Sequence, residues 1–193
     1  MQIGIDLGAT KIESVLLDEK GKEHLREREN SPQDYPNTLT SIKNIVNKIE
    51  KKFAKKFNVG VCHPGSIPSD TELLKNTNNS PWLNGKPFQK DISKLLDRTI
   101  YCENDANCFA LSEAKDGSAS HYKIVFGVIL GSGCGGGLVV DKKIISGTNN
   151  LSGEWGHNPL PFYGINEDIS VLQSTLDTNL DIEKFISGKG LEA

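Results

Sequence analysis

Two segments of the chain carry one pattern: an apolar strand, a glycine-rich turn and a returning strand. The first reads QIGIDLG, ATK, IESVLLD from position 2, and the second YKIVFGVIL, GSGCGGG, LVVDKKII from position 122. Short apolar runs rich in β-branched residues and bounded by turn residues are strand signals. Glycine adopts positive φ and lets backbone N–H groups approach an anion without a side chain between. The chain therefore reads as two similar halves, each opening on a strand-turn-strand unit.

The sequence between the units fills out the first lobe. A third strand is expected over 23–28, followed by a proline-containing loop, SPQDYPNT. From Thr38 to Phe57 the apolar residues Leu39, Ile42, Ile45, Val46, Ile49 and Phe53 recur at helical spacing, with lysines on the opposite side. NVGVCHPG reads as a buried strand closing on a Pro-Gly turn. The polar segment from Ser66 to Phe88 reads as a long loop, a candidate for ligand contact. A short helix over 91–96, a strand over 99–102 and a helix over 106–114 follow. The small-residue stretch KDGSASH places the lobe boundary near 118–121, giving lobes 1–118 and 119–193.

The 193 residues carry a formal charge of only −3, so there is no basic field to recruit nucleic acid or an anionic membrane. The longest apolar run, IVFGVIL, is far short of the roughly 20 residues that cross a bilayer as a helix. MQIGIDLG has none of the features of a secretory signal, so a cytoplasmic location is expected. Cys62, Cys102, Cys108 and Cys134 show no paired spacing and read as reduced packing residues.

Neither glycine turn matches the G-x-x-x-x-G-K-[ST] loop or sits in the strand-to-helix context of a dinucleotide fingerprint, which disfavours a dehydrogenase. Two strand-turn-strand glycine loops suit nucleotide phosphates instead. In YCENDANCFALSEA, Glu103, Asn104 and Asp105 stand where a strand ends and a helix begins. A carboxylate at the carboxyl end of an α/β strand lies where ligands bind, and it can take a proton from an attacking hydroxyl. Considered alone, helix capping is the plainer reading of Asn and Asp there. In SGEWGHNPLP, Glu154 and His157 accompany a tryptophan, a set suited to sugar hydroxyls and sugar C–H faces, although a structural histidine is the plainer reading.

The motifs together resemble the ROK family of sugar kinases and related repressors. DLGATK is similar to the family's first phosphate motif, NVGVCHPGSI to its Pro-Gly segment, ENDANCFALSEA to its catalytic motif, GSGCGGG to its second phosphate loop and SGEWGH to its sugar motif, in family order along nearly the whole chain. KNTNNSPWLNGKPF and GEWGHNPLP resemble bacterial fructokinases or mannokinases, and ENDANCFALSEA resembles N-acetylglucosamine kinases. The resemblance implies an actin-like ATPase fold of hexokinase type, α/β and ribonuclease H-like, in two lobes with the second incomplete. It implies ATP, Mg²⁺ and a hexose as ligands, with no nucleic acid or membrane partner and with homodimers common among relatives.

Residue by residue, the resemblance implies Asp105 as catalytic base and Asn78, Asn104, Asp105, Glu154, His157 and Glu183 as sugar contacts. It implies Asp6, Gly8, Thr10, Lys11, Gly131, Ser132, Gly133, Gly135 and Gly136 at the ATP phosphates. Three departures stand out. Ala9 replaces a glycine, His63 occupies a position usually apolar, and Ser174, Leu176 and Asp181 fall where the family has zinc-binding cysteines, so no structural zinc is expected. The implied activity is phosphorylation of the 6-hydroxyl of fructose or mannose. The alternatives are N-acetylglucosamine or glucose as substrate or, in another class, a non-catalytic sugar-binding protein or inactive fragment. A DNA-binding domain ahead of Asp6, as in the repressor branch, is not expected.

Overall fold

The alternation read from the first segment builds a mixed sheet in a computed structural model that describes residues 1–131, 133–159 and 181–191. The strands are β1 (Gln2–Leu7), β2 (Lys11–Leu17), β3 (Glu23–Asn30), β4 (Asn58–His63) and β5 (Tyr101–Asn104), in the order β3-β2-β1-β4-β5. β1 runs antiparallel to β2 and parallel to β4, and β5 is parallel to β4. Ile3, Ile5 and Leu7 alternate inward and join Ile12, Leu16, Val59 and Val61 in one aliphatic core. Their burial, worth about 1.5–3 kcal/mol for each large apolar side chain, fixes the register, because a one-residue slip would turn the row to the other face.

Helices α1 (Tyr35–Phe53) and α2 (Phe88–Leu96) cover that core through Ile42, Ile45, Val46 and Ile49 and through Phe88, Ile92 and Leu96. α1 starts earlier than the apolar spacing predicts because Asp34 caps it, its side chain accepting from the Asn37 N–H at 2.9 Å, and Pro36 fits the first turn. It ends at Ala54, which takes the left-handed conformation at φ 49°, so Phe57 belongs to the approach to β4. The buried Glu50 carboxylate at the end of α1 accepts from Arg98 at 2.6 and 3.0 Å and from the Phe57 N–H at 3.0 Å. Burial pushes its carboxyl up, but Arg98, Phe57 and Lys56 outweigh that and bring it to about 2.

The segment between β4 and α2 is less irregular than expected. Ser66 and Lys75 form a β-bridge, a 3-10 turn spans Pro81–Leu83, and Leu74 and Leu83 enter the core.

The compact units are Met1–Asp105 and Ala106–Ala193, so the division falls ahead of the 118/119 boundary read from composition. The physical reason is the packing of α3 (Asp105–Lys115) on the second sheet. That sheet holds β6 (Ile124–Leu130), β7 (Cys134–Val140) and β8 (Lys143–Ile144) in antiparallel order β6-β7-β8. Gly127 and Gly137 are register partners beneath α3. A Cβ on Gly127 would lie 2.8 Å from the Ala110 Cβ, and one on Gly137 would lie 2.5 Å from the Ala106 carbonyl oxygen. Ala110, Ala114 and Val139 form the buried centre of this unit. Lys142, in the positive-φ turn Asp141-Lys142, donates to the Ala114 and Ser120 carbonyls and ties the end of α3 down. Among the described residues, no helix is long and apolar enough to cross a membrane.

Candidate active site

β1, β4 and β5 are parallel, so their carboxyl ends share one edge of the first sheet. The first glycine turn, the Pro64-Gly65 turn and Asp105 leave the sheet at that edge, where α/β folds place ligands. The glycine turn is closed by the Gly8 N–H donating to Lys11 O at 2.9 Å. It is braced from outside by the Ser31 N–H donating to Thr10 O at 2.9 Å and by Gln33 Nε2 donating to Ala9 O at 2.8 Å. Ala9 is not among the residues with positive φ, so alanine fits here without strain. The Lys11 ammonium donates to the Asn30 Oδ1.

One register row crosses all five strands: Arg28, Glu13, Asp6, Cys62 and Glu103. It lies on the face opposite Ile3, Ile5 and Leu7. Asp6 is open to solvent, yet its carboxyl sits above the ordinary carboxylate range. Desolvation contributes most and Glu13 adds to it, while Arg28 pulls the other way.

β5 ends two residues later than the pattern predicts, so Glu103 and Asn104 belong to the strand and α3 begins at once with Asp105 in its first turn. Asp105 is exposed, and Ala106 and Asn107 behind it are buried. The Asn104 backbone N–H donates to Glu103 Oε1 at 2.9 Å, and its Nδ2 donates to Gly65 O at 3.0 Å. His63, the register partner of Asn104, is buried and edge-on to Phe88, with ring centroids 6.1 Å apart. Burial lowers its pKa, against the smaller opposing effects of Pro64 and Glu103, which keeps the imidazole neutral at pH 7. Cys102 beside it is pushed up to about 12, chiefly by burial, and is an inert packing thiol.

In the second unit the turn after β6 is shorter than GSGCGGG, because β7 begins at Cys134. Gly131 and Gly133 flank Ser132, which lies outside the described residues, and the Gly131 N–H donates to Gly133 O at 2.9 Å. Gly135, Gly136 and Gly137 lie inside β7, where their missing side chains admit other chain segments. The SGEWGH segment crosses directly over them: a Cβ on Gly153 would fall 1.9 Å from Gly136 O, and one on Gly156 would fall 2.5 Å from Cys134 O. Trp155 Nε1 donates to Gly135 O at 2.9 Å, and its ring meets Phe126 edge-on.

This crossing sets Glu154 and His157 on a 3-10 turn with His157 Nδ1 and Glu154 Oε2 3.2 Å apart. Burial raises the Glu154 carboxyl, Glu183 adds to it and His157 opposes it. Glu183, on the short helix Ile182–Ile186, accepts the Cys134 N–H at 2.7 Å, so one carboxylate oxygen is used on the second glycine turn.

Asn78 is exposed in the turn between Thr77 and Ser80. Of the positions expected to replace zinc cysteines, Ser174 and Leu176 lie outside the described residues, while Asp181 caps the short helix, accepting from the Lys184 N–H at 3.0 Å. Sequence pattern does not disclose that Gln33 braces the first glycine turn or that Gly65 holds Asn104. The Pro-Gly pair was the only signal for the second.

Comparison with known proteins bears on the family and the fold. An N-acetyl-D-glucosamine kinase of Histophilus somni is 37% identical over 197 residues, and one of Yersinia pestis is 38% identical over 196; both alignments span all of this chain. The chain covers 64% of the Histophilus protein's length and 76% of the Yersinia protein's. A ROK hexokinase from Thermus thermophilus superposes with a TM-score of 0.80 at 22% identity, covering 99% of this chain and 61% of its own. A ROK glucokinase from Streptomyces griseus, solved with glucose and AMPPNP, gives 0.79 at 23%, covering 98% and 58%. The fold is thus the expected actin-like α/β fold, represented over about 60% of these neighbours' length. The ROK family profile matches residues 2–193, and the chain belongs to the ROK family.

Proposed function

We propose that the protein transfers the γ-phosphoryl group of ATP to a sugar hydroxyl, with N-acetylglucosamine as the substrate. The carrying observation is the exposed Asp105 at the carboxyl edge of three parallel strands, next in sequence to an anchored Asn104 and on the same sheet edge as a braced glycine turn. As the sugar 6-oxygen attacks phosphorus, Asp105 takes its proton, and ADP leaves with the electrons of the broken P–O bond. Backbone N–H groups of the turns at Gly8 to Lys11 and Gly131 to Gly133 suit the phosphates. Asn78, Asn104, Glu154, His157 and Glu183 are hydrogen-bonding groups for sugar hydroxyls. Asp6 is a single open carboxylate, which fits a magnesium ion held through water. A magnesium ion bound with the nucleotide would neutralise charge on its phosphates.

The choice of sugar departs from fructose or mannose because the relatives at 37–38% identity bear the name N-acetyl-D-glucosamine kinase. A cytoplasmic location and a homodimer belong to the same proposal. The test is coupled ATP turnover with N-acetylglucosamine, fructose, mannose and glucose. The highest kcat/KM is expected for N-acetylglucosamine. Preference for fructose would restore the reading from the loop motifs, and sugar binding without turnover would leave a non-catalytic binding protein.

A further inference from the structure

We infer that His63 is a positioning residue that fixes Asn104 toward the sugar through the Pro64-Gly65 turn, an inference that rests on the sugar-kinase reading. His63 is 2% exposed on the face of β4 that meets α2, a place where an aliphatic side chain would be buried without any polar group to satisfy. A buried imidazole needs a partner, and its Nδ1 lies 3.1 Å from Pro64 O. A carbonyl only accepts, so Nδ1 carries the hydrogen and donates.

That bond reaches the next link of the chain. The direction of the Pro64 carbonyl sets the plane of the Pro64-Gly65 peptide. Gly65 has φ +75°, and a Cβ there would lie 2.1 Å from Lys75 O, so the turn requires glycine. Glycine is also the residue least able to hold its own conformation. His63 therefore restrains the Pro64 side of the turn, ahead of the bridge that pairs Ser66 with Lys75. On the other side Gly65 O accepts Asn104 Nδ2 at 3.0 Å. With Nδ2 donating to Gly65, the orientation of the Asn104 carboxamide is tied to the position of that carbonyl.

The test compares His63→Leu, which fills the space without a donor, with His63→Asn, whose Nδ2 can superpose on the ring Nδ1 but which fills less space. In the 193-residue protein, His63→Leu is expected to raise the N-acetylglucosamine KM about five- to tenfold, with kcat and the ATP KM within about twofold. His63→Asn should keep the sugar KM within about twofold while melting at a lower temperature than the leucine variant. A purely structural role predicts the reverse ranking. An unchanged sugar KM in His63→Leu, or a KM that follows melting temperature, overturns the inference. If the unmutated protein turns over no sugar, the kinase reading fails, and hydrogen exchange at the Asn104 carboxamide still decides on His63. Slow exchange in the unmutated protein and His63→Asn with fast exchange in His63→Leu supports positioning; equal rates in all three refute it.

Discussion

The two units open on the same strand-turn-strand pattern and are stabilised in opposite ways. The first fills the space beneath its sheet with large aliphatic side chains, Ile3, Ile5, Leu7, Ile42 and Ile49 among them. The second removes side chains so that backbone meets backbone: Gly127 and Gly137 admit α3, Gly136 and Gly153 admit the SGEWGH crossing, and the buried centre is Ala110, Ala114 and Val139. Ile124, Phe126, Val128 and Leu130, which stand on one face of β6, are all exposed. Glycine in the first half stands mainly at turns, Gly4 and Gly60 apart, while in the second it also lets chain segments cross close over the strands. Truncation should damage the first unit and enlargement the second.

The largest effect is expected from Ile42→Ala, which empties a fully buried position of the first core and should cost about 2–5 kcal/mol in denaturant unfolding. A loss below about 1 kcal/mol would break the comparison.

Next comes Glu50. Its folded carboxyl titrates at about 2 against an ordinary 4.5, so the folded state binds fewer protons than the unfolded one in that interval. Stability from this group is full above pH 4.5, falls away as pH drops toward 2 and amounts to about 3 kcal/mol. Glu50→Gln should flatten that stretch of the pH-stability curve.

In the second unit Gly137→Ala should cost about 1–3 kcal/mol by overpacking against Ala106, although alanine is the smallest side chain that can be added. The smallest effect is expected at Ile124→Ser, the most exposed position on that face of β6. Its thermal stability should stay within about 0.5 kcal/mol of the unmutated protein's.

Periodicity made the first sheet and α1 legible, because alternating Ile3, Ile5 and Leu7 and the spaced Ile42, Ile45 and Ile49 are direct signatures of burial. Ends were less legible, since Asp34 and Ala54 set them through cap geometry and not through hydrophobic spacing. The run GSGCGGG read as one loop because glycine signals a turn in sequence. The paired strand assigns Gly135 to Gly137 to β7, and the crossing of Gly153 at Gly136 and the packing of α3 at Gly137 explain why side chains are missing there. Among the site residues, Asp105 was recognisable from its strand-to-helix place. The link from Asn104 to Gly65 was not, because it joins residues far apart in sequence through one backbone carbonyl. His63 looked anomalous for the same reason: its partner is a carbonyl whose importance lies one residue further on.

The central claim is that Asp105 acts as the base of sugar phosphorylation, and one variant tests it. Asp105→Asn keeps shape and exposure while removing the proton acceptor. Turnover should fall by about 10²–10⁴-fold or more while calorimetric affinity for N-acetylglucosamine stays within about threefold. A variant that retains the unmutated protein's kcat would contradict the account.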